Sequence, residues 1–338
     1  MNEQNKKEIF DLTEQEFYYY FEQEIIPKIQ NINYFQINLA KRIQLFLVFI
    51  AFILFFSIPF LKEFSFIFSD TGGRTLSQIM PLLISKLPAI TPVFLICLMF
   101  FIFFVGFVRS KNSVKEDVLN LLGLNYVEAL IPIPLSAFSE TYAYSKLLKE
   151  TFFLGYKNPK LDDIIEGNYK GVPFTIIDVP DKSDSKYPHK IFLATKIKKN
   201  FNGQLTVFKK DRNLISQFNN MNFSQTVNLE DINFSKEYRV FAENQVEARY
   251  LLTTAFMERL LSYKKQKTCD IEVIFSQKYQ KFGNLFFCVS GFQDMFELPD
   301  GDLKYISQNP KFFYNILLDI KDIMEIVNAL KLDQDIGM

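Results

Sequence analysis

A chain of 338 residues with 38 basic and 38 acidic side chains has no net formal charge, which argues against a strongly electrostatic partner; no nucleic acid is expected. The three cysteines, Cys97, Cys269 and Cys288, make no paired framework and suit a reducing compartment, without disulfides or a structural zinc. A single histidine, His189, removes most metal and histidine-based acid–base arrangements, so no cofactor or metal site is expected.

Residues 1–43 are polar and charged, with no apolar run near the start, and predict a cytosolic helical segment without a cleavable signal peptide. Thr13 and Glu16 have capping-box spacing, and Phe17, Phe21, Ile25, Ile29 and Ile32 recur at helical intervals with an interruption at Pro27. That helix either docks beside a membrane or packs on its own chain's soluble domain.

Two uncharged runs follow, 45–61 and 87–108. As helices they measure roughly 26 and 33 Å, which brackets the hydrocarbon core of a bilayer. They predict a two-helix transmembrane hairpin over 44–108, with spans at about 44–62 and 87–108. Lys28, Lys41, Arg42, Arg109, Lys111 and Lys115 flank it, against Lys62, Arg74 and Lys86 in the connecting loop, so both termini are expected in the cytoplasm. Residues 69–73 read as a turn between the spans.

Beyond Arg109 the pattern is that of a water-soluble domain. Residues 118–130 and 137–153 have helical spacing and predict a helical connector over 109–155. Strand-like runs then occupy 169–179, 191–197, 204–208, 238–241, 271–275 and 285–289, with Asn200-Phe201-Asn202-Gly203 as a hairpin turn between two of them. Helices are predicted from Asn244 to about Lys265 and from Pro310 to about Leu330. Strands and helices without strict alternation predict an α+β domain over 156–332, with a mainly antiparallel sheet and a tail at 333–338.

Motifs that carry chemistry are few. Gly167, Tyr169 and Gly171 superficially resemble a glycine-rich loop but read as a tight entry into a strand; Asp300-Gly301-Asp302 reads as a turn. His189, beside Pro188, reads as an exposed loop residue. The segment 243–259 mixes charge with apolar bulk almost all round a helix. Glu247, Arg249, Tyr250, Glu258 and Arg259 would there be either salt-bridged anchors or a ligand site. Seven basic residues, Lys190, Lys196, Lys198, Lys199, Lys209, Lys210 and Arg212, are answered locally only by Asp211. On a hairpin facing a bilayer they would attract anionic headgroups; facing away they would be a solvated sheet edge.

A set of short matches runs along nearly the whole chain in order. It comprises Glu16-Phe17-Tyr18, Ile26-Pro27, Ile165-Glu166-Gly167 with Tyr169, Gly171 and Phe174, Phe201 with Gly203, and Val227 with Leu229-Glu230. It ends with Glu247-Ala248-Arg249-Tyr250-Leu251-Leu252 and Met257-Glu258-Arg259-Leu260-Leu261. The series resembles the bacterial membrane proteins grouped as domain of unknown function 3137, with Arg42 in place of the arginine that members keep after the N-terminal helix. The resemblance implies a bacterial inner-membrane protein and supplies no catalytic residues.

The reading these features favour is a membrane-anchored cytosolic binding or regulatory module, with the lipid bilayer and a protein as partners and self-association open. One rival is an enzyme acting on a lipid or membrane-tethered substrate through Asp178, Glu247 or Glu258. Another is a subunit of an oligomeric channel or transporter, with Ser57 or Thr91 facing a pore.

Overall fold

The computed structural model describes residues 8–30, 111–128, 140–151, 161–180, 188–210 and 225–333. The chain divides into two compact units, Met1–Ile32 with Asn112–Met338, and Asn33–Lys111. Both runs of the expected membrane hairpin lie outside the described residues, and so does Arg212. Among the described residues no helix is long and apolar enough to cross a membrane.

The first unit is α+β. Among the described residues nine strands form one sheet: β1 (Asn125–Glu128), β2 (Asp163–Tyr169), β3 (Val172–Pro180), β4 (His189–Thr195), β5 (Gln204–Lys209), β6 (Gln225–Val227), β7 (Tyr238–Ala242), β8 (Asp270–Ser276) and β9 (Leu285–Phe292). Their order is β1-β2-β3-β4-β9-β8-β5-β7-β6, and every neighbouring pair is antiparallel. The helices among the described residues are α1 (Glu14–Tyr20), α2 (Ile26–Ile29), α3 (Lys111–Leu121), α4 (Glu140–Glu150), α5 (Ile232–Glu237), α6 (Gln245–Leu251), α7 (Thr254–Lys267), α8 (Leu303–Gln308) and α9 (Pro310–Leu330).

Helices cover both faces of the sheet. Tyr144, Leu147 and Leu148 of α4 pack with Ile164, Ile177, Phe192, Phe208, Ile274 and Phe286 on one face. Side chains alternate along a strand, so Asp163, Tyr169 and Phe275 belong to the other face. There Lys115 of α3 bonds Asp163, Phe256 of α7 meets Phe275 edge-on, and Asn328 of α9 donates to the Tyr169 hydroxyl. Two-sided burial explains why Ile191–Ala194 and Leu285–Val289 are apolar at every position instead of every second one.

The N-terminal segment packs on this same body. Thr13 and Glu16 close the expected capping box. Phe17 and Phe21 are fully buried against Tyr314 and Phe313 of α9, with ring centroids 5.4 and 5.5 Å apart. A π turn at Phe21–Ile25, in which Ile26 N–H reaches the Phe21 carbonyl, leads into α2 at Pro27, which has no N–H to donate.

Several expectations are corrected. Residues 118–130 do not form one helix: α3 stops at Leu121, Gly123 takes a positive φ of 84°, and Asn125–Glu128 becomes an edge strand. The run 169–179 is the end of β2 plus β3. Lys170 and Gly171, with φ of 51° and 77°, make the two-residue turn between them. The predicted helix 244–265 is two helices, because Leu252 leaves helical geometry and the Thr253 side chain caps a new one. The 200–203 turn does not join neighbours, since β9 and β8 lie between β4 and β5.

The antiparallel register gives the sheet two ends. His189, Pro180, Phe292, Asp270 and Lys209 mark one. Thr195, Phe174, Leu285, Ser276, Gln204 and Ala242 mark the other.

Candidate functional site

The six described residues of the basic set singled out in the sequence do not share one surface. Lys190, Lys209 and Lys210 lie at the His189 end. Lys209 is paired with Asp270 at 2.9 Å, and Lys210 donates to the Ser235 carbonyl at 3.1 Å. Lys196, Lys198 and Lys199 lie at the Thr195 end, where Lys281 and Lys278 of the β8–β9 turn join them, Lys278 paired with Glu150 at 3.1 Å. Those two were legible as a pair of lysines in a turn, but the sequence does not tell that β9 lies beside β4.

A rigid corner holds this end together. Asn284, buried, accepts from Ile197 N–H at 2.8 Å, donates to the Ile197 carbonyl at 3.0 Å, and its own N–H meets the Thr195 carbonyl at 3.0 Å. Lys199 lies 3.9 Å from the centre of the Tyr250 ring and donates to the Tyr250 carbonyl at 2.6 Å; partial burial lowers its pKa. Val246 and Tyr250, one helical turn apart on α6, are 76% and 50% exposed. With Phe201, Glu247, Gln277 and Gln280 they line a groove of about 650 Å³.

The helix residues divide accordingly. Glu247 faces that groove, and Arg249 is exposed, reaching the Asn228 carbonyl only at 3.5 Å. Glu258 is exposed on α7, and half-buried Arg259 has a buried Nη1 without a hydrogen-bond partner. Among the described residues these four form no ion pair, so they are not the salt-bridged anchors expected. Neither are α6 and α7 covered on most sides.

The opposite end holds what the sequence reading missed. His189 is buried, not an exposed loop residue, and its Nδ1 lies 2.8 Å from Asp178 Oδ1. Asp178 is fully buried, and its Oδ2 has no hydrogen-bond partner. Burial pushes the Asp178 carboxyl up to about 7, against the pull of the imidazole. Burial alone would hold His189 down. The bond to Asp178 and the fields of Asp178, Asp294 and Asp162 outweigh it, and the ring pKa is raised.

Asp162, just before β2, and Asp294, just after β9, flank the ring. One ligand atom from each of Asp162, His189 and Asp294 lies within 4.8 Å of the others. Next to them Lys115, buried in α3, grips Asp163 with contacts of 2.8 and 2.9 Å, while the Tyr126 hydroxyl donates to Asp163 at 2.6 Å. Burial raises the Asp163 pKa more than Lys115 and Tyr126 lower it. Asp178 was a sequence candidate only beside Glu247 and Glu258. The structure instead sets Asp178 at one end of the sheet and Glu247 at the other, and brings Asp178 to His189.

Residues 190–332 match the model of a family described as "Protein of unknown function (DUF3137)", which supports the resemblance read from the residues. The matched stretch begins one residue after His189 and contains the whole Lys196–Lys281 surface. Among solved structures, the crystal structure of the mycobacterial trehalose monomycolate transport factor A, TtfA, is similar with a TM-score of 0.33 and 11% identity, over 66% of this chain and 97% of that chain. No curated protein matches the chain.

Proposed function

We propose that this chain is a membrane-anchored binding module whose α+β body docks anionic lipid headgroups through the Thr195 end of its sheet. The observation that carries the reading is the gathering of Lys196, Lys198, Lys199 and Lys281 at the sheet end that carries the exposed Val246 and Tyr250, with Lys199 on the Tyr250 ring. Lysines near an anionic bilayer contribute about 1 kcal/mol each. An apolar and aromatic pair beside them suits the interface between headgroups and acyl chains. The apolar runs 45–61 and 87–108 supply the anchor in this reading. The flanking basic residues support both termini in the cytoplasm, and an inner-membrane address is what the family resemblance implies.

The full chain, reconstituted in nanodiscs of zwitterionic lipid with or without phosphatidylglycerol, tests this by amide hydrogen exchange. Anionic discs are expected to protect residues 196–202, 246–250 and 277–283. The variant Lys196→Gln/Lys198→Gln/Lys281→Gln should lose that protection. Equal exchange in both discs refutes the docking surface, and recovery of the chain in an alkaline-washed supernatant refutes the anchor.

A further inference from the structure

We propose that Asp162, His189 and Asp294 form a binding site for one divalent first-row transition cation, with Asp178 as the residue that orients His189. The three donors come from separate strand ends that the antiparallel register brings together: the start of β2, the start of β4 and the residue two past β9. Their ligand atoms already lie within 4.8 Å of one another. Bonds of about 2.0–2.2 Å to a tetrahedral ion place donor atoms about 3.4 Å apart. Asp294 Oδ1 lies 3.9 Å from His189 Nδ1, so joining a cation on Nε2 takes a rotamer change of its side chain, which is 49% exposed.

A cluster of acids on a surface says little by itself. Asp178 adds an independent observation. It is a fully buried carboxylate with one oxygen on His189 Nδ1 at 2.8 Å and the other without a partner. A buried acceptor left unmade is costly, and native folds rarely keep one without a reason. Protonating the ring satisfies the Nδ1 contact and leaves Oδ2 as it was.

The geometry is the recurrent one in which a metal-ligating histidine donates its second ring N–H to a carboxylate, which fixes the tautomer and leaves Nε2 for the metal. The charge balance points the same way. Asp162, Asp178 and Asp294 all act on His189, and Lys115, beside them, is already committed to Asp163.

The donor set selects the ion. One imidazole and two carboxylates suit zinc, manganese or iron(II), whereas calcium takes six to eight oxygens and gains nothing from a ring nitrogen. Neither described cysteine contributes. Cys288 lies in the core cluster on the opposite face of the sheet, and burial pushes the Cys269 thiol up to about 11. Three protein ligands leave a coordination position open, as in sites that bind water or a ligand rather than purely structural ones.

The test uses the full chain in detergent, stripped with a chelator and titrated with zinc against a chromophoric competitor, then with cobalt followed by visible absorption. The expected result is one ion per chain. Asp162→Asn and Asp294→Asn should each weaken binding about 10- to 100-fold, and His189→Gln should abolish it. Asp178→Asn should weaken it by a similar 10- to 100-fold and shift the cobalt spectrum. Melting of Asp294→Asn in chelator should equal that of the parent, which shows that lost affinity is not lost folding. No saturable binding overturns the site. So does full affinity in Asp162→Asn or Asp294→Asn, loss of binding in Cys269→Ser, or calcium binding as tightly as zinc.

Discussion

Replacing Lys115 by methionine isolates the energetics of the ion pair beneath the sheet. Lys115 is 1% exposed, bonds both oxygens of Asp163, and lies 5.5 Å from the centre of the Tyr126 ring. Methionine keeps most of its volume but leaves Asp163 buried with only the Tyr126 hydroxyl as donor. Removing one member of a buried pair costs about 3–5 kcal/mol, because an uncompensated charge stays behind. A domain of this size loses about 2–4 °C per kcal/mol, so the thermal midpoint of the full chain in detergent should fall by about 6–20 °C. The combined variant Lys115→Met/Asp163→Leu/Tyr126→Phe removes the charges and the orphaned hydroxyl together, and should return to within about 1 kcal/mol of the parent. A single Lys115→Met variant as stable as the parent would refute the argument, for it would mean that water reaches Asp163.

Two further outcomes follow from local geometry. Burial works against the charged form of Asp270, but the hydrogen bond from Lys209 and the fields of Lys209 and Lys264 win, and its pKa is lowered. The stability from that lowering is present above the ordinary carboxylate range and disappears as pH falls through the depressed value. The stability gap between parent and Lys209→Met should therefore be up to about 1 kcal/mol at pH 7, since Asp270 is 42% exposed, and should close toward pH 3 in urea unfolding. Gly283→Ala should destabilise by more than about 1 kcal/mol: φ is 149° there, and an added Cβ would stand 2.4 Å from the Thr195 carbonyl oxygen. Its hydrogen exchange should rise first at residues 196–198 and 284, and uniform change across the sheet would contradict that.

How far the sequence could be read depended on whether a signal was local. The capping box at Thr13, the caps at Asn244 and Asn309, and the apolar stripe of α9 are written in adjacent residues, and each is where the pattern places it. The α+β class was also legible, from strand runs that cluster between helices. What failed depended on pairing. Asn202-Gly203 has the chemistry of a hairpin turn, yet β9 and β8 are interposed between β4 and β5, and no local signal announces a crossover. Asn125–Glu128 pairs with β2 at the sheet edge although its spacing suits a helix. His189 looked exposed because Pro188 and the polar stretch before it read as loop. Its burial comes from Asp178, eleven residues earlier, and from β9, about a hundred residues later.

The same pairing separates the two surfaces that matter. Seven residues of β4, at about 3.3 Å each, put His189 and Thr195 roughly 20 Å apart, more than twice the screening length at physiological salt. Charges at one end therefore contribute little to the potential at the other. The basic corner can meet an anionic surface while the carboxylates around His189 stay in their own field. Substitutions that far apart ordinarily add. Asp294→Asn should leave protection of residues 196–202 by anionic discs unchanged, and Lys281→Gln should leave zinc affinity unchanged. If either variant altered the other readout, the rigid strand between them would be transmitting strain, and the sheet would be coupling the sites rather than insulating them.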